Sequence, residues 1–242
     1  MIEDLIVFGD SNSYGCETVA DGDFQNPKNP NFAYGKYVQE SLGLKTYKNF
    51  AIPGASNIMI LETLLTHLPF IDKEKTLILL GWSETNRLMF NVKDHEYRIS
   101  ECLIKKLILH SRIKSSTMNA DHRQLIEPLI NQPFMQEFVK GILLYYFTSD
   151  YFHLNDDALR LCADSVLFNG KYKFLAFSTL GDAEHHRVGK IKDLFSPNTM
   201  FNFHYRGFAK YGSSSSQGHL KTEAHKKVAE TLIEELKKRN II

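Results

Sequence analysis

Two side chains far apart in the sequence have the types that acyl transfer requires. They are Ser11, within Phe8-Gly9-Asp10-Ser11-Asn12-Ser13, and His219, within Gly218-His219-Leu220-Lys221-Thr222-Glu223-Ala224-His225. A serine hydroxyl is a weak nucleophile at its free pKa. It needs a base within hydrogen-bond reach and N–H donors aimed at the oxyanion that forms on the attacked carbonyl. Ser11 can attack, His219 can take its proton, and the backbone N–H groups of Ser11 and Gly54 can supply the donors. Glycine suits position 54 because a residue without Cβ lets backbone come close to a reacting centre. The segment Gly81-Trp82-Ser83-Glu84-Thr85-Asn86 offers Ser83 or Asn86 as a further side-chain donor to the oxyanion hole. Asn12, Asn57 and Trp82 are candidates to line a substrate pocket. Asp10 reads as an acceptor for the N–H groups of its own turn rather than as a base.

These residues need a scaffold that gathers them, and the hydrophobic pattern supplies one. Residues 5–8 are a short apolar run stopped by Gly9-Asp10-Ser11, the pattern of a strand covered on both faces. A helix is expected over 34–42, a strand over 46–51, and a helix capped by Ser56 that carries Ile58, Leu61, Leu64, Leu65 and Leu68. The clearest central strand is 76–80, and a further one is expected over 172–177. The final helix carries Ala224, Val228, Leu232 and Leu236 at four-residue spacing, with Thr222 as its cap and Lys237, Lys238 and Arg239 at its negative end.

Strands alternating with helices give right-handed crossovers and a parallel sheet covered on both sides, so the expected fold class is α/β, a three-layer α/β/α sandwich. The expected organisation is one domain over 1–242 with a helical insertion at about 94–169, helical around 99–109, 134–147 and 156–168 and without a strand. In such sheets ligands collect beyond the carboxyl ends of the strands, where the polar segments above fall. The serine run 213–216 reads as a flexible loop before His219.

The arrangement resembles the SGNH or GDSL hydrolases, a family of esterases, lipases, thioesterases and carbohydrate deacetylases with a flavodoxin-like sandwich. Residues 8–13 look like the family's first block with its nucleophilic serine at Ser11. Residues 49–56 look like the second with its oxyanion glycine at Gly54, and 218–225 resemble the last with its histidine at His219. The resemblance covers 1–90 and 210–240 and implies an ester hydrolase acting through an acyl-enzyme. It implies a small acyl-ester or acylated-carbohydrate substrate and no cofactor.

Two positions depart from the family pattern. Where its third block has an asparagine two residues after a glycine, this chain has Ser83, with Asn86 three residues on. Where it has an aspartate three residues before the histidine, this chain has Ser216. A Ser11–His219 dyad is therefore expected, with the imidazole Nδ1–H held by some other group. The competing reading is a catalytically weak binding or scaffold module on the same fold. A flavodoxin-like nucleotide binder is the third class.

Composition bounds these readings. With 29 Lys+Arg against 28 Asp+Glu there is no net field to hold nucleic acid or an anionic membrane. The 3 cysteines, Cys16, Cys102 and Cys162, are too few and too scattered for a disulfide framework. No paired-cysteine or His-Glu-x-x-His motif marks a metal site, despite His185-His186. The N-terminal residues lack a basic region followed by a long apolar one, and no apolar run reaches the ~18 residues of a spanning helix. A cytoplasmic product is expected.

Overall fold

Strand β1 (Asp4–Phe8) is apolar at every position after Asp4, and Leu5, Ile6, Val7 and Phe8 are all buried. Strand β3 (Thr76–Trp82) is buried along its whole length. Such continuous burial requires partners on both sides and cover on both faces, which a central position in a parallel sheet provides. In this computed structural model, which describes residues 1–83, 87–92, 95–100, 150–179, 192–201, 203, 205–216 and 218–242, the two strands lie side by side at the middle of the sheet. With β2 (Thr46–Asn49), β6 (Lys173–Ser178) and β7 (Thr199–Met200) they form a five-stranded parallel sheet of order β2-β1-β3-β6-β7. Helices flank it in an α/β sandwich, as the strand–helix alternation predicts. β3 runs two residues past the expected 76–80, because Gly81 and Trp82 continue the register opposite Phe177 and Ser178. β7 lies in an aromatic stretch where no strand is expected from the sequence.

One face packs on helices α2 (Tyr34–Ser41) and α5 (Thr222–Lys238). Leu5, Val7, Leu77, Leu79, Leu175 and Phe177 share a core with Val38, Ala224, Val228, Leu232 and Leu236. On the opposite face Phe8 stacks on Phe50 at 5.6 Å, and both rings meet His67 of α3 (Asn57–His67). Ser56 caps α3 through the Met59 N–H, as expected. Lys221 rather than Thr222 occupies the cap position of α5, and Thr222 is its first helical residue.

The chain divides into two compact units, Met1–Glu84 with Asp157–Ile242, and Thr85–Asp156. In the second, β4 (Arg87–Val92) and β5 (His95–Ser100) form an antiparallel pair that sets Leu88 opposite Ile99 and Phe90 opposite Tyr97. The helical expectation around 99–109 is thus corrected at its start. Apolar residues at 88, 90 and 92 and at 97 and 99 alternate with period two, and that pattern wins. The stretch 134–147 lies outside the described residues. Helix α4 (Asp150–Asn169) includes the expected 156–168. Among the described residues no helix is long and apolar enough to cross a membrane.

His225, on α5, is fully enclosed rather than on the helix surface. Its Nδ1 accepts the Tyr34 backbone N–H at 3.2 Å, satisfying one of the open donors at the start of α2, and its ring stacks on Tyr34. Burial, aided by the neighbouring His219, pushes the His225 imidazole down to about 3, with a hydrogen bond to the Leu220 backbone opposing. Below the unfolded-state value of ~6.5 the unfolded chain binds a proton that the folded chain excludes. Stability from this group is complete above that pH and is lost progressively as pH falls toward the folded value. Between pH 7 and 5 wild type should lose about 2 kcal/mol of unfolding free energy, measured by urea titration, and His225→Gln should flatten that slope.

Candidate active site

Ser11 opens α1 (Ser11–Tyr14), a single turn that begins just beyond the carboxyl end of β1, and Gly15 closes the turn in the left-handed region. Asp10 caps it: Oδ1 accepts the Asn12 N–H at 3.0 Å. That is the structural-acceptor role its position suggests. The same carboxylate accepts the Ser83 hydroxyl at Oδ2 at 3.1 Å, and the Thr179 hydroxyl lies between its Oδ1 at 3.1 Å and the Trp82 carbonyl at 2.9 Å. One buried carboxylate thus ties together the residues that follow β1, β3 and β6.

This network decides what several candidate residues do. A hydroxyl has one proton, and that of Ser83 is given to Asp10, so Ser83 is placed as a brace rather than as an oxyanion donor. Asn57 holds the Ser83 backbone from both sides, accepting its N–H at 2.8 Å and donating Nδ2 to its carbonyl at 3.3 Å. The side chain of Arg160, on α4, donates to the same carbonyl at 3.3 Å. Trp82 is buried within β3, and Asn12 is buried with its carbonyl accepting the Tyr205 hydroxyl at 3.3 Å. Asn12, Asn57 and Trp82 are thus all buried in this structure. Asn86, and with it the alternative side-chain donor, lies outside the described residues.

Gly54 sits in the turn between β2 and α3 with φ of 77°, where a side chain would be strained. The second block is stitched to β1 and the first block by three hydrogen bonds. Phe50 N–H donates to Val7 O at 2.8 Å, Ile52 N–H to Gly9 O at 2.9 Å, and Asn49 Nδ2 to Ser13 O at 2.9 Å. These bonds hold the loop carrying Gly54 against the turn carrying Ser11.

His219 is held in a small antiparallel turn. Ser213 pairs with Leu220, the Ser214 N–H donates to His219 O at 2.7 Å, and the His219 N–H donates to Ser214 Oγ at 3.2 Å. The imidazole Nδ1 lies 2.7 Å from Oε2 of Glu17, a residue with no exposed surface. The sequence leaves open which group holds this nitrogen, and here it is the Glu17 carboxylate. Ser216, in the position of the family's aspartate, donates its hydroxyl to Glu17 instead. Ser214 Oγ and the Gly22 N–H also donate to the Glu17 carboxylate, at 2.6 and 2.7 Å.

Burial pushes the Glu17 carboxyl up, but the Ser214, Ser216, Gly22 and His219 hydrogen bonds outweigh it and hold the group below its usual range. The serine run is thus a donor array, not a loose linker. Its next member, Ser215, binds Asp21 through both N–H and hydroxyl, at 3.2 and 2.6 Å. The only sequence signal for Glu17 is this unusual density of hydroxyls beside His219, with an acid six residues after the candidate nucleophile.

Ser11 and His219 are not hydrogen-bonded to each other among the described residues. They are joined through the Ser11–Glu17 segment, which folds back so that the Ser11 carbonyl accepts the N–H groups of Gly15 at 3.1 Å and Cys16 at 2.9 Å. The Phe24 and His219 rings make a T-shaped contact, with centroids 5.8 Å apart. Among the described residues no group of three or more His, Cys, Asp or Glu converges as a metal site would require.

No protein-family model matches the sequence, and neither does any curated protein. Among solved structures the chain is similar to a carbohydrate esterase whose active site is described as displaying divergent catalytic and non-catalytic binding functions. The TM-score is 0.53 at 13% identity, over 98% of this chain and 65% of that one. It is also similar to an acetyl xylan esterase from the rumen bacterium Butyrivibrio proteoclasticus, with a TM-score of 0.51 at 10% identity, over 99% of this chain and 65% of that one. This chain therefore spans less than two thirds of the length of either. With its parallel sheet, its helical cover and these neighbours, the chain has the α/β sandwich fold of these two esterase structures.

Proposed function

We propose that the protein is a serine ester hydrolase in which Ser11 is the nucleophile and His219 the general base. The observation that carries this reading is the placement of the two groups. Ser11 begins a turn at the carboxyl edge of the central strand, and six residues on the same loop supplies the carboxylate that orients His219. The missing hydrogen bond between Ser11 and His219 does not oppose it, because such bonds are commonly long without substrate and tighten when it binds.

In the first half-reaction the Ser11 oxygen bonds to the ester carbonyl carbon while its proton passes to His219 Nε2. The carbonyl π electrons move onto oxygen, where the backbone N–H groups of Ser11 and Gly54 stabilise the charge. Collapse of the tetrahedral species expels the alcohol, which takes the proton from His219. Water then repeats the sequence on the acyl-enzyme, with His219 again as base, and releases the acid and free Ser11.

The substrate class is a small acyl ester, and an O-acetyl ester of a carbohydrate is the form favoured by the two similar structures, one a carbohydrate esterase and the other an acetyl xylan esterase. Chemistry of this kind needs no cofactor. A fluorophosphonate probe tests the reading directly. Wild type should gain one adduct that peptide mass mapping places on Ser11, and folded Ser11→Ala should gain none. Folded wild type that stays unlabelled would favour a binding module instead.

A further inference from the structure

We infer that Glu17 is the acid of this site, completing a Ser11–His219–Glu17 relay in which the carboxylate arrives from the nucleophile's own loop rather than from the segment before the histidine. The inference rests on the reading of Ser11 and His219 given above.

Four donors converge on the Glu17 carboxylate: the Gly22 N–H, the Ser214 and Ser216 hydroxyls, and His219 Nδ1. They occupy both oxygens, so the group cannot rotate away from the imidazole. The Glu17 backbone is held with φ of 63°, in the left-handed region that a side chain of this kind rarely adopts. Such conformations persist where surrounding contacts over-determine them. Here the contacts include Lys221 Nζ on the Glu17 carbonyl at 2.5 Å and the Glu17 N–H on Asp23 O at 3.3 Å.

The chemical consequence follows from charge. When His219 Nε2 takes the Ser11 proton the ring becomes an imidazolium, and an ionised carboxylate on Nδ1–H stabilises it and fixes the reactive tautomer without itself taking the proton. Ser216 acts one bond further out. In the family pattern its position supplies the acid, whereas here it donates to the acid and helps keep it ionised. Among the described residues, other charged or titratable groups near this pair are Lys221 and Asp21, which contact each other, and His225, which interacts electrostatically with His219.

The experiment compares wild type with Glu17→Gln, using p-nitrophenyl acetate and the fluorophosphonate probe. The substitution should lower kcat roughly 10²- to 10⁴-fold with KM changed less than about threefold, since the acid acts on the charged ring and not on bound ester. Wild-type kcat in folded Glu17→Gln would overturn the inference.

Two further measurements remain decisive if Glu17→Gln does not fold. Wild type should show a strongly deshielded imidazole Nδ1 proton that disappears in His219→Ala, and its absence would overturn the pairing. Glu17→Ser/Ser216→Asp, which moves the acid to the family's position, should recover at least about tenfold in kcat over Glu17→Ser, and no recovery would count against the relay. Failure of Ser11 to label in wild type would instead defeat the hydrolase reading, with the deshielded proton still reporting on Glu17 and His219.

Discussion

Replacing His219 with alanine is expected to slow turnover of an activated ester roughly 10⁵- to 10⁶-fold, the loss seen when the base of a serine nucleophile is removed. Almost no stability should go with it. The ring is partly exposed, and Glu17 keeps three other donors after the imidazole is gone, so no buried carboxylate is stranded. Thermal unfolding should shift by no more than a few degrees while the rate collapses. That separation distinguishes a base from a structural histidine such as His225, whose loss should do the reverse. Steady-state kinetics beside calorimetry on the same preparations makes the comparison, and a His219→Ala protein that hydrolyses within tenfold of wild type would show that another group takes the proton.

The largest effect on folding should come from Gly9→Ala. A Cβ at position 9 would lie 2.1 Å from Ser13 Oγ, 2.5 Å from Ser13 Cβ and 2.8 Å from the carbonyl of Gly81. Ser13 cannot turn aside easily, because its hydroxyl accepts the buried Tyr34 hydroxyl at 2.7 Å. Overpacking of this kind costs about 1–3 kcal/mol and more where backbone must move. With a backbone carbonyl among the clashing atoms, the expected loss is about 3 kcal/mol or more in urea titration. Ser13→Gly in the same chain removes two of the three clashes and should recover part of it. A fully stable Gly9→Ala protein would mean that β1 and β3 separate at their carboxyl ends far more easily than their register implies.

The parts of the fold that the sequence announces are those where one physical signal dominates. Residues 5–8 and 77–80 are unbroken apolar runs, and both lie in central strands. Ser56 precedes an apolar helical stripe, and it caps α3. Where signals compete, legibility falls. β7 is only Thr199–Met200, too short to carry a period, and Thr199 is held in place by its hydroxyl on the Asp164 carboxylate at 2.6 Å, a contact across 35 residues.

The site divides along the same line. Ser11, Gly54 and His219 stand in recognisable blocks at element ends. Glu17 stands in none, and its role depends on a contact with a residue 202 positions away. Ser83 is a second case: its position after β3 suggests a donor to substrate, while in this structure its hydroxyl lies on Asp10, 73 residues away. Local pattern picks out candidate segments at element ends, but which side chains pair across them is decided by tertiary contacts.

The buried carboxylate at position 17 has a consequence for biosynthesis. On a growing polypeptide residues 214–219 emerge long after Glu17, which until then lacks three of its four donors. An unsatisfied anion in a buried location is unfavourable, so the early loop should stay open and hydrated until the serine turn docks. Closure of the loop is then coupled to arrival of the later segment, and a ribosome-stalled nascent chain ending before Ser214 should be chemically silent.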